Sequence, residues 1–179
     1  MKKILLVAAM ASTLSIPAVA QDLALSPYGV SFNYFNLKNN FEFEPHARTN
    51  SDAFSIQFHW EMNQAVSFHL GYQFESIGSG AELHSVVTGL SHEWRFDNAF
   101  APYVSAAVNA GVITDDGHVG PNDVSTVWTT KVGAGLGYYI QPDWRINLGG
   151  EYQYRTWNAD DASNRDTGLV WTVGIKKRF

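Results

Sequence analysis

From Tyr28 onward, apolar and polar residues alternate along most of the chain. The stretch beginning at Phe54 reads FSIQFHWEM, in which every second residue is apolar. A repeat of two indicates a β-strand with one apolar face, because successive side chains of a strand point to opposite sides. No segment has the 3.6-residue period of an amphipathic helix. The pattern therefore predicts an all-β protein.

Eight segments show this alternation. Their apolar positions begin at Tyr28, Phe54, Val66, Val86, Val104, Trp128, Ile146 and Leu169. Each segment is about as long as the ~9 to 11 residues with which a tilted strand crosses a bilayer. One face is made of large aliphatic and aromatic residues, whereas the other carries Gly, Ser, Gln, Glu and Lys. A soluble barrel or β-sandwich needs a large apolar interior, so the pattern favours a barrel whose apolar face points outward.

The connections alternate between short turns and long polar loops. The short ones are residues 63–65, 97–101 and 141–143, and the long ones are residues 38–51, 114–125 and 158–167, with residues 76–82 as a shorter member. This alternation is typical of bacterial outer-membrane barrels, whose turns face the periplasm. The predicted fold is an all-β, eight-stranded antiparallel transmembrane β-barrel with short periplasmic turns and long extracellular loops.

Tryptophans fall near both ends of the predicted strands. Those that we assign to an aromatic girdle are Trp60, Trp94, Trp128, Trp144 and Trp157. The first, second and fourth of these lie at the short-turn end, and the other two lie toward the long-loop end. Aromatic rings at both interfaces are a feature of membrane barrels.

Composition excludes several other classes of protein. The chain has 179 residues, of which 14% are aromatic and 16% charged, and it has no cysteine. The lack of cysteine excludes disulfide-stapled folds and Cys-ligated metal sites. A net charge of -5 without a basic block argues against nucleic acid as a partner.

The first twenty residues have the features of a bacterial secretory signal peptide. Lys2 and Lys3 precede an apolar stretch, and the small-x-small sequence AVA ends at Ala20. We expect residues 1–20 to be cleaved and residues 21–179 to form one barrel domain in the outer membrane of a Gram-negative cell. Loss of the two lysines would take the net charge from -5 to -7.

The last strand resembles the C-terminal signal of outer-membrane barrels. Those barrels end in Phe with apolar or aromatic residues at alternate positions before it, and Trp171, Val173, Ile175 and Phe179 match that spacing. Lys177 departs from it. With the signal peptide, the eight strands and the loop alternation, these residues resemble the OmpA/OmpX-like small outer-membrane β-barrel superfamily. The resemblance implies assembly by the barrel-assembly machinery into a monomer embedded in outer-membrane lipid and lipopolysaccharide.

Functions within that superfamily are diverse. Its members are envelope anchors, adhesins, poorly conducting pores and a few lipid A-modifying enzymes. The resemblance implies an envelope-structural or adhesin-like role without catalysis or cofactor, with a narrow porin-like channel and lipid A modification as the alternatives. A chain that stops at Phe179 is also expected to lack the peptidoglycan-binding domain of full-length OmpA-type proteins.

Charged residues occupy positions that are predicted to point inward. The predicted lumen polar network contains Glu61, Glu75, Glu93, Arg95, Lys131, Glu151 and Arg155, with Arg145, Lys176 and Arg178 on the same faces. Because eight strands enclose a space that side chains fill, we expect these charges to pair as a plug, with Glu151 at its centre. A narrow ion path through the same residues is the alternative.

Two histidines on neighbouring predicted strands form a candidate metal site. If the connecting turn pairs Glu61 with Ser67, His59 faces His69 near that carboxylate. Two imidazoles and a carboxylate can hold zinc or copper. Polar filling of the lumen explains the histidines equally well.

The remaining histidines give weaker signals. The sequence SFH ending at His69 reverses the His-x-Ser order of lipid A deacylases of this type, and His118 only weakly imitates the loop histidine of palmitoyltransferase barrels. We therefore expect no enzyme activity. His92 would face lipid in the predicted register, which indicates a β-bulge near Gly89.

Most of the net charge falls in the long loops. Residues 114–125 carry -3 and residues 158–167 carry -2, whereas residues 38–51 are neutral. An acidic surface of this kind can bind divalent or other cationic partners. Exposed aromatic residues in a loop are costly without a contact, so Phe41 and Phe43 make the first loop the best candidate for binding an extracellular ligand.

Overall fold

The computed structural model describes most of the predicted barrel. The described residues are 27–39, 50–63, 65–77, 81–96, 99–115, 125–159 and 162–179. The predicted signal peptide, Phe41, Phe43 and His118 lie outside them. Within these ranges, no helix is long and apolar enough to cross a membrane.

Eight antiparallel strands make up the described structure. They are β1 (Tyr28–Asn39), β2 (Asn50–Glu61), β3 (Val66–Ile77), β4 (Ala81–Glu93), β5 (Phe100–Asp115), β6 (Ser125–Gln141), β7 (Trp144–Ala159) and β8 (Ala162–Arg178). Each strand pairs with the next, and β1 pairs with β8, so the sheet closes into a barrel. The predicted fold is confirmed. A closed barrel leaves no strand edge, which allows backbone N–H and C=O groups to pair within the sheet in a bilayer.

The two faces of the sheet reverse the usual distribution of polarity. On the outer face, Phe32 is 56% exposed and Leu148 is 58% exposed, whereas Gln73 and Glu75 inside are at most 1% exposed. Soluble proteins bury large apolar side chains and keep carboxylates in water. The outer face is therefore suited to lipid, and the polar face is enclosed.

β4 alternates regularly along its whole length. Gly89 pairs with His69 on one side and with Ala107 on the other, and the register continues unchanged on both sides. The β-bulge predicted near Gly89 is therefore wrong. His92 stays on the outer face, where its ring meets that of Trp94 edge-on with the centroids 4.5 Å apart. This contact shields part of the imidazole from lipid.

The strands reach different heights. β1 to β3 have 12 residues each, whereas β5 to β8 have 16 or 17. The short connections lie together at one end of the barrel, which we call the turn end, and the opposite end is the loop end. Because about 9 to 11 residues cross a bilayer, the second half of the barrel extends beyond it at the loop end.

The predicted long loop at residues 158–167 is one part of this extension. The ladder between β7 and β8 continues to the pair Ala159 and Ala162. The prediction of a long loop there is wrong. This segment is mostly polar, and its residues alternate too weakly for the sequence to reveal strands that continue beyond the apolar band of the barrel.

Two glycines on opposite faces of the sheet provide a test of this packing. A Cβ atom on Gly71, in the lumen, would lie 2.7 Å from the Gln57 Cα atom, whereas a Cβ on Gly150, on the outer face, would first meet Trp171 at 3.6 Å. We expect Gly71→Ala to lower the free energy of unfolding by about 1–3 kcal/mol, since overpacking displaces backbone. We expect Gly150→Ala to change it by less than about 0.5 kcal/mol. Urea unfolding in lipid vesicles measures both, and equal effects would contradict this account.

Candidate functional site

The charged side chains of the lumen form two separate clusters. The turn-end cluster contains Glu61, Glu93, Arg95, Arg145, Lys176 and Arg178, which lie at or near the turn ends of their strands. The loop-side cluster contains Gln73, Glu75, Lys131 and Arg155, which lie nearer the loop end. Two levels of the lumen are thus closed by different sets of residues.

The loop-side cluster is centred on a fully buried ion pair. The Arg155 guanidinium donates from Nη2 to Glu75 Oε2 at 2.6 Å and from Nη1 to Oε1 at 3.1 Å. The two residues are 1% and 0% exposed. Because β3 and β7 are not neighbours in the barrel, this bidentate pair bridges the lumen. The Ser51 hydroxyl and Thr129 hydroxyl add hydrogen bonds to the two partners.

Lys131 joins this cluster through an amide that the sequence did not single out. Its Nζ atom donates to Gln73 Oε1 at 2.7 Å and lies 4.7 Å from the centroid of the Phe35 ring. Asn109 donates to the same amide oxygen at 3.2 Å. Glu151 is only at the periphery, 4.0 Å from Lys131 Nζ. The prediction that Glu151 is the centre of the network is therefore wrong.

In the turn-end cluster, the Glu61 carboxylate is held by three cations. Arg178 Nη2 lies 2.8 Å and Arg95 Nη2 3.2 Å from its Oε2 atom, and Lys176 Nζ lies 3.5 Å from Oε1. The surplus of cations compensates the buried negative charge, which would otherwise be costly.

Glu93 is the second carboxylate of the turn-end cluster. Its Oε1 atom accepts hydrogen bonds from Arg95 Nε at 2.8 Å and from the Tyr139 hydroxyl at 2.5 Å. Its Oε2 atom pairs with Arg145. Arg95 therefore links Glu93 to Glu61. The structure brings the predicted polar residues together, and the tyrosine is an addition that its inward parity on β6 could have indicated.

His59 and His69 face each other as predicted. They are paired residues of β2 and β3, and their ring centroids are 5.7 Å apart. His59 Nε2 lies 2.7 Å from Ser31 Oγ. The predicted third ligand, Glu61, is held by cations, and no group of three potential ligands occurs in the described ranges. The predicted zinc or copper site therefore lacks a third ligand among these residues.

An apolar cluster, which we call the cap, fills the lumen at the loop end. It contains Leu83, Val127 and Trp157, which are 1–4% exposed, with Ala81 and Ile113 packed against them. The prediction that Trp157 belongs to the outer girdle is wrong. It shares the inward parity of its strand, and this parity, rather than its terminal position, determines its direction.

The other predicted girdle tryptophans lie outside the lumen. Trp60 and Trp128 are 47% and 56% exposed on the outer face. Trp144 lies under the Lys177 ammonium, whose Nζ atom is 4.8 Å from the ring centroid. Lys177 also donates to Asp143 in the adjacent turn. This hydrogen bond lowers the pKa of the Asp143 carboxyl, and these contacts account for a lysine at a position where the strand otherwise presents apolar residues.

Three of the predicted assembly-signal residues lie on the outer face of β8, and the fourth, Phe179, directly follows the strand. Their side chains are 36–61% exposed. These residues are Trp171, Val173, Ile175 and Phe179. Their arrangement agrees with the alternation from which they were selected.

Two polar groups on the outer face were not predicted. Tyr34 donates to Asp52 at 2.6 Å, and His84 lies between the Tyr72 hydroxyl and the Glu82 carboxylate, 3.4 Å from the latter. Both groups lie on cross-strand neighbours toward the loop end. Their pairing could not be inferred from one strand at a time.

Solved structures with the same fold include several outer-membrane proteins. Neisserial surface protein A aligns with a TM-score of 0.68 at 17% identity, covering 88% of this chain and 100% of that chain. The attachment invasion locus protein Ail of Yersinia pestis aligns with a TM-score of 0.51 at 14% identity, covering 87% and 100%. The outer-membrane enzyme PagL aligns with a TM-score of 0.55 at 8% identity, covering 83% and 99%. At these identities the likeness shows the fold alone.

Sequence comparison gives the family. A search of curated proteins finds no match. Residues 6–179 match the family described as "Outer membrane protein beta-barrel domain". The inverted polarity, the closed antiparallel sheet and this match agree: the chain belongs to the family of outer-membrane β-barrel proteins.

Proposed function

We propose that this protein is a closed barrel that acts through its extracellular surface, in attachment or in the structure of the envelope, rather than by transport or catalysis. The observation that carries the proposal is the obstruction of the lumen at three levels. These are the turn-end cluster, the loop-side cluster and the cap. In this orientation the turn end faces the periplasm and the loop end the exterior, as in bacterial outer-membrane barrels.

The cap supports a closed state most directly. A water molecule in a protein interior needs two to four polar partners. The cap offers hydrophobic side chains where a water path would have to leave the barrel. A second apolar cluster is formed by Phe35, Ala53 and Val170. It reduces the amount of polar surface that lines the lumen nearby.

The bidentate pair below the cap supports the same conclusion. A channel through this level would require Glu75 and Arg155 to separate, and each would then be a buried charge without its counterion. Separation of such a pair is strongly unfavourable. The pair therefore acts as a strut across the lumen.

The height of the second half of the barrel supports a role at the surface. β5 to β8 continue as a paired sheet beyond the length needed to cross the bilayer, which gives the extracellular side a rigid wall. Two of the similar structures are named for a surface location and for attachment. We propose that the wall presents the connections at residues 38–51 and 114–125, and the end of the β7–β8 ladder within residues 158–167, to an extracellular ligand, while the outer face contacts lipid and lipopolysaccharide.

The contacts of His84 favour a role without catalysis. Its Nδ1 atom pairs with Tyr72 and its Nε2 atom with Glu82. A carboxylate, an imidazole and a hydroxyl in contact are also the parts of a catalytic triad. Here, however, the hydroxyl belongs to a tyrosine, and Ser85, the serine next to His84 in the chain, points into the lumen and is 4% exposed. His69, the histidine of the reversed deacylase-like sequence SFH, points into the lumen.

We propose that the protein reaches the outer membrane through cleavage of residues 1–20.

Attachment of whole cells tests the proposed surface role. We expect Gram-negative cells that display the protein to bind cultured epithelial cells, and we expect replacement of residues 40–49 by a Gly/Ser linker of equal length to reduce binding about tenfold, since it removes Phe41 and Phe43. A Gly/Ser linker over residues 44–49 alone, which keeps Phe41 and Phe43, is the matched control. Wild-type binding equal to that of cells without the protein would contradict the attachment role.

Planar-bilayer recording tests the closed lumen. We expect the wild type and the outer-face variant Trp128→Ala to give no stable channel. The triple variant Trp157→Ala, Glu75→Gln, Arg155→Gln removes the strut and the largest side chain of the cap but leaves the turn-end cluster in place. We therefore expect it to give openings that are small and brief. Stable porin-sized channels in the wild type would instead support transport.

The energetic role of the strut can be measured by a double-mutant cycle. We expect Glu75→Gln or Arg155→Met alone to lower the free energy of unfolding by about 3–5 kcal/mol, because each leaves a buried charge without its partner. The double variant is expected to cost less than the two single changes together. Lys177→Gln, which breaks a half-exposed pair, should cost less than about 1 kcal/mol. Unfolding in lipid vesicles gives all four values, and additive effects would show that the pair is not a unit.

A further inference from the structure

A chamber of about 70 Å³ lies in the lumen between the two ionic clusters. Its lining includes His59, Arg145, Asn147, Glu151 and Thr172. By the same measure, one water molecule needs about 10–15 Å³. The chamber therefore has room for a monatomic ion together with water.

Five of the side chains that line this chamber have a buried polar atom without a hydrogen-bond partner. Within the part of the chain that the structure describes, these atoms are His59 Nδ1, Arg145 Nε, Asn147 Oδ1, Thr172 Oγ1 and Glu151 Oε2, the last of which lies 4.0 Å from Lys131 Nζ. Apart from Glu151, the residues are only 7–9% exposed. Buried polar atoms are almost always hydrogen-bonded in native proteins. Their convergence on one cavity indicates a polar or charged occupant.

The tautomer of His59 decides whether its Nδ1 atom is a donor or an acceptor, and we assign it from the neighbouring Ser31. Ser31 Oγ accepts a hydrogen bond from Asn33 Nδ2 at 3.1 Å and lies 2.7 Å from His59 Nε2. We assign the hydroxyl hydrogen of Ser31 to His59 Nε2. In the neutral imidazole this places the ring hydrogen on Nδ1, which is then a donor toward the chamber.

The charge around the chamber favours a negative occupant. The turn-end cluster at its floor has four cations and two carboxylates. A guanidinium has five N–H donors, whereas a carboxylate has about four acceptor sites. The two carboxylates therefore cannot accept a hydrogen bond from every donor of the four cations. Arg145 Nε–H is one of the donors that remain. Lys131 and Arg145 both line the chamber against the single carboxylate of Glu151.

We propose that the chamber binds one halide-sized inorganic anion, such as chloride. Arg145 Nε–H and His59 Nδ1–H are its donors, the Thr172 hydroxyl supplies a third, and the Asn147 amide supplies a fourth after rotation about its terminal bond. A positive lining and a donor-rich surface disfavour a metal cation in the same place. The site lies inside the barrel and is independent of the proposed attachment role.

Halide-dependent stability tests this site in solution. The purified full-length barrel in detergent is unfolded with urea in sodium gluconate, to which sodium chloride or bromide is added at constant ionic strength. We expect the midpoint to rise with halide concentration, because a ligand that binds only the folded state stabilises it. Equal midpoints in gluconate and halide would overturn the proposal and leave water as the occupant.

Two variants assign the effect to the chamber. Arg145→Lys keeps a cation beside Glu93 but lacks the Nε–H donor, and we expect it to weaken halide binding about tenfold, the equivalent of one charge-assisted hydrogen bond. Arg95→Lys is the matched control, since Arg95 belongs to the turn-end cluster but does not line the chamber, and we expect unchanged halide binding. Equal weakening by the two variants would place the effect outside the chamber.

Anomalous scattering gives the position of the ion. In crystals grown with bromide, we expect an anomalous peak within hydrogen-bond distance of Arg145 Nε. Thr172→Val, which removes one donor at nearly constant volume, should lower the occupancy of this peak if Arg145→Lys fails to fold. A bromide-soaked wild-type crystal without a peak in the chamber would contradict the proposal.

Discussion

The pairing of β1 with β8 is the constraint on which the rest of this structure depends. In a bilayer, a backbone N–H or C=O without a partner has no water to bind, so the sheet must close on itself. Closure then assigns every side chain to one of two environments. Alternate residues face lipid, and the residues between them face the lumen. The lumen is narrow, because only eight strands surround it.

The enclosed face explains the interior chemistry. A narrow lumen holds side chains rather than bulk water, so charges placed there need partners within the barrel. Glu75 and Arg155 meet this need with a bidentate pair, and the turn-end cluster meets it with an excess of cations around two carboxylates. That excess has a further consequence, because donors left over from the carboxylates converge on a small chamber that is suited to an anion.

The two halves of the barrel differ in the length of their strands. β1 to β3 are close to the length of a membrane crossing, whereas β5 to β8 continue beyond it as a paired wall. The cap lies inside the same end of the barrel. The features that obstruct the lumen and those that extend into the extracellular space are therefore found together, which agrees with a protein that presents a surface rather than a passage.

Periodicity alone determined which residues face outward, because the direction of a side chain in a strand depends only on the parity of its position. The eight strands and the inward position of the charged residues follow from this local rule. The pairing of His59 with His69 follows from it together with the register of the short turn between β2 and β3. Trp157 was misassigned only because its place at a strand end was given more weight than its parity.

Only the tertiary structure determines the contacts between strands that are not neighbours. The stagger and radius of the closed barrel determine the pairing of Glu75 with Arg155, which are 80 positions apart in the chain. They also determine the peripheral position of Glu151 and the composition of the cap. No single strand contains this information. The paired ends of β7 and β8, at residues 158–159 and 162–167, likewise depend on each other, since their own alternation is weak. Local patterns determine faces, whereas partners across the lumen are determined only when the sheet closes.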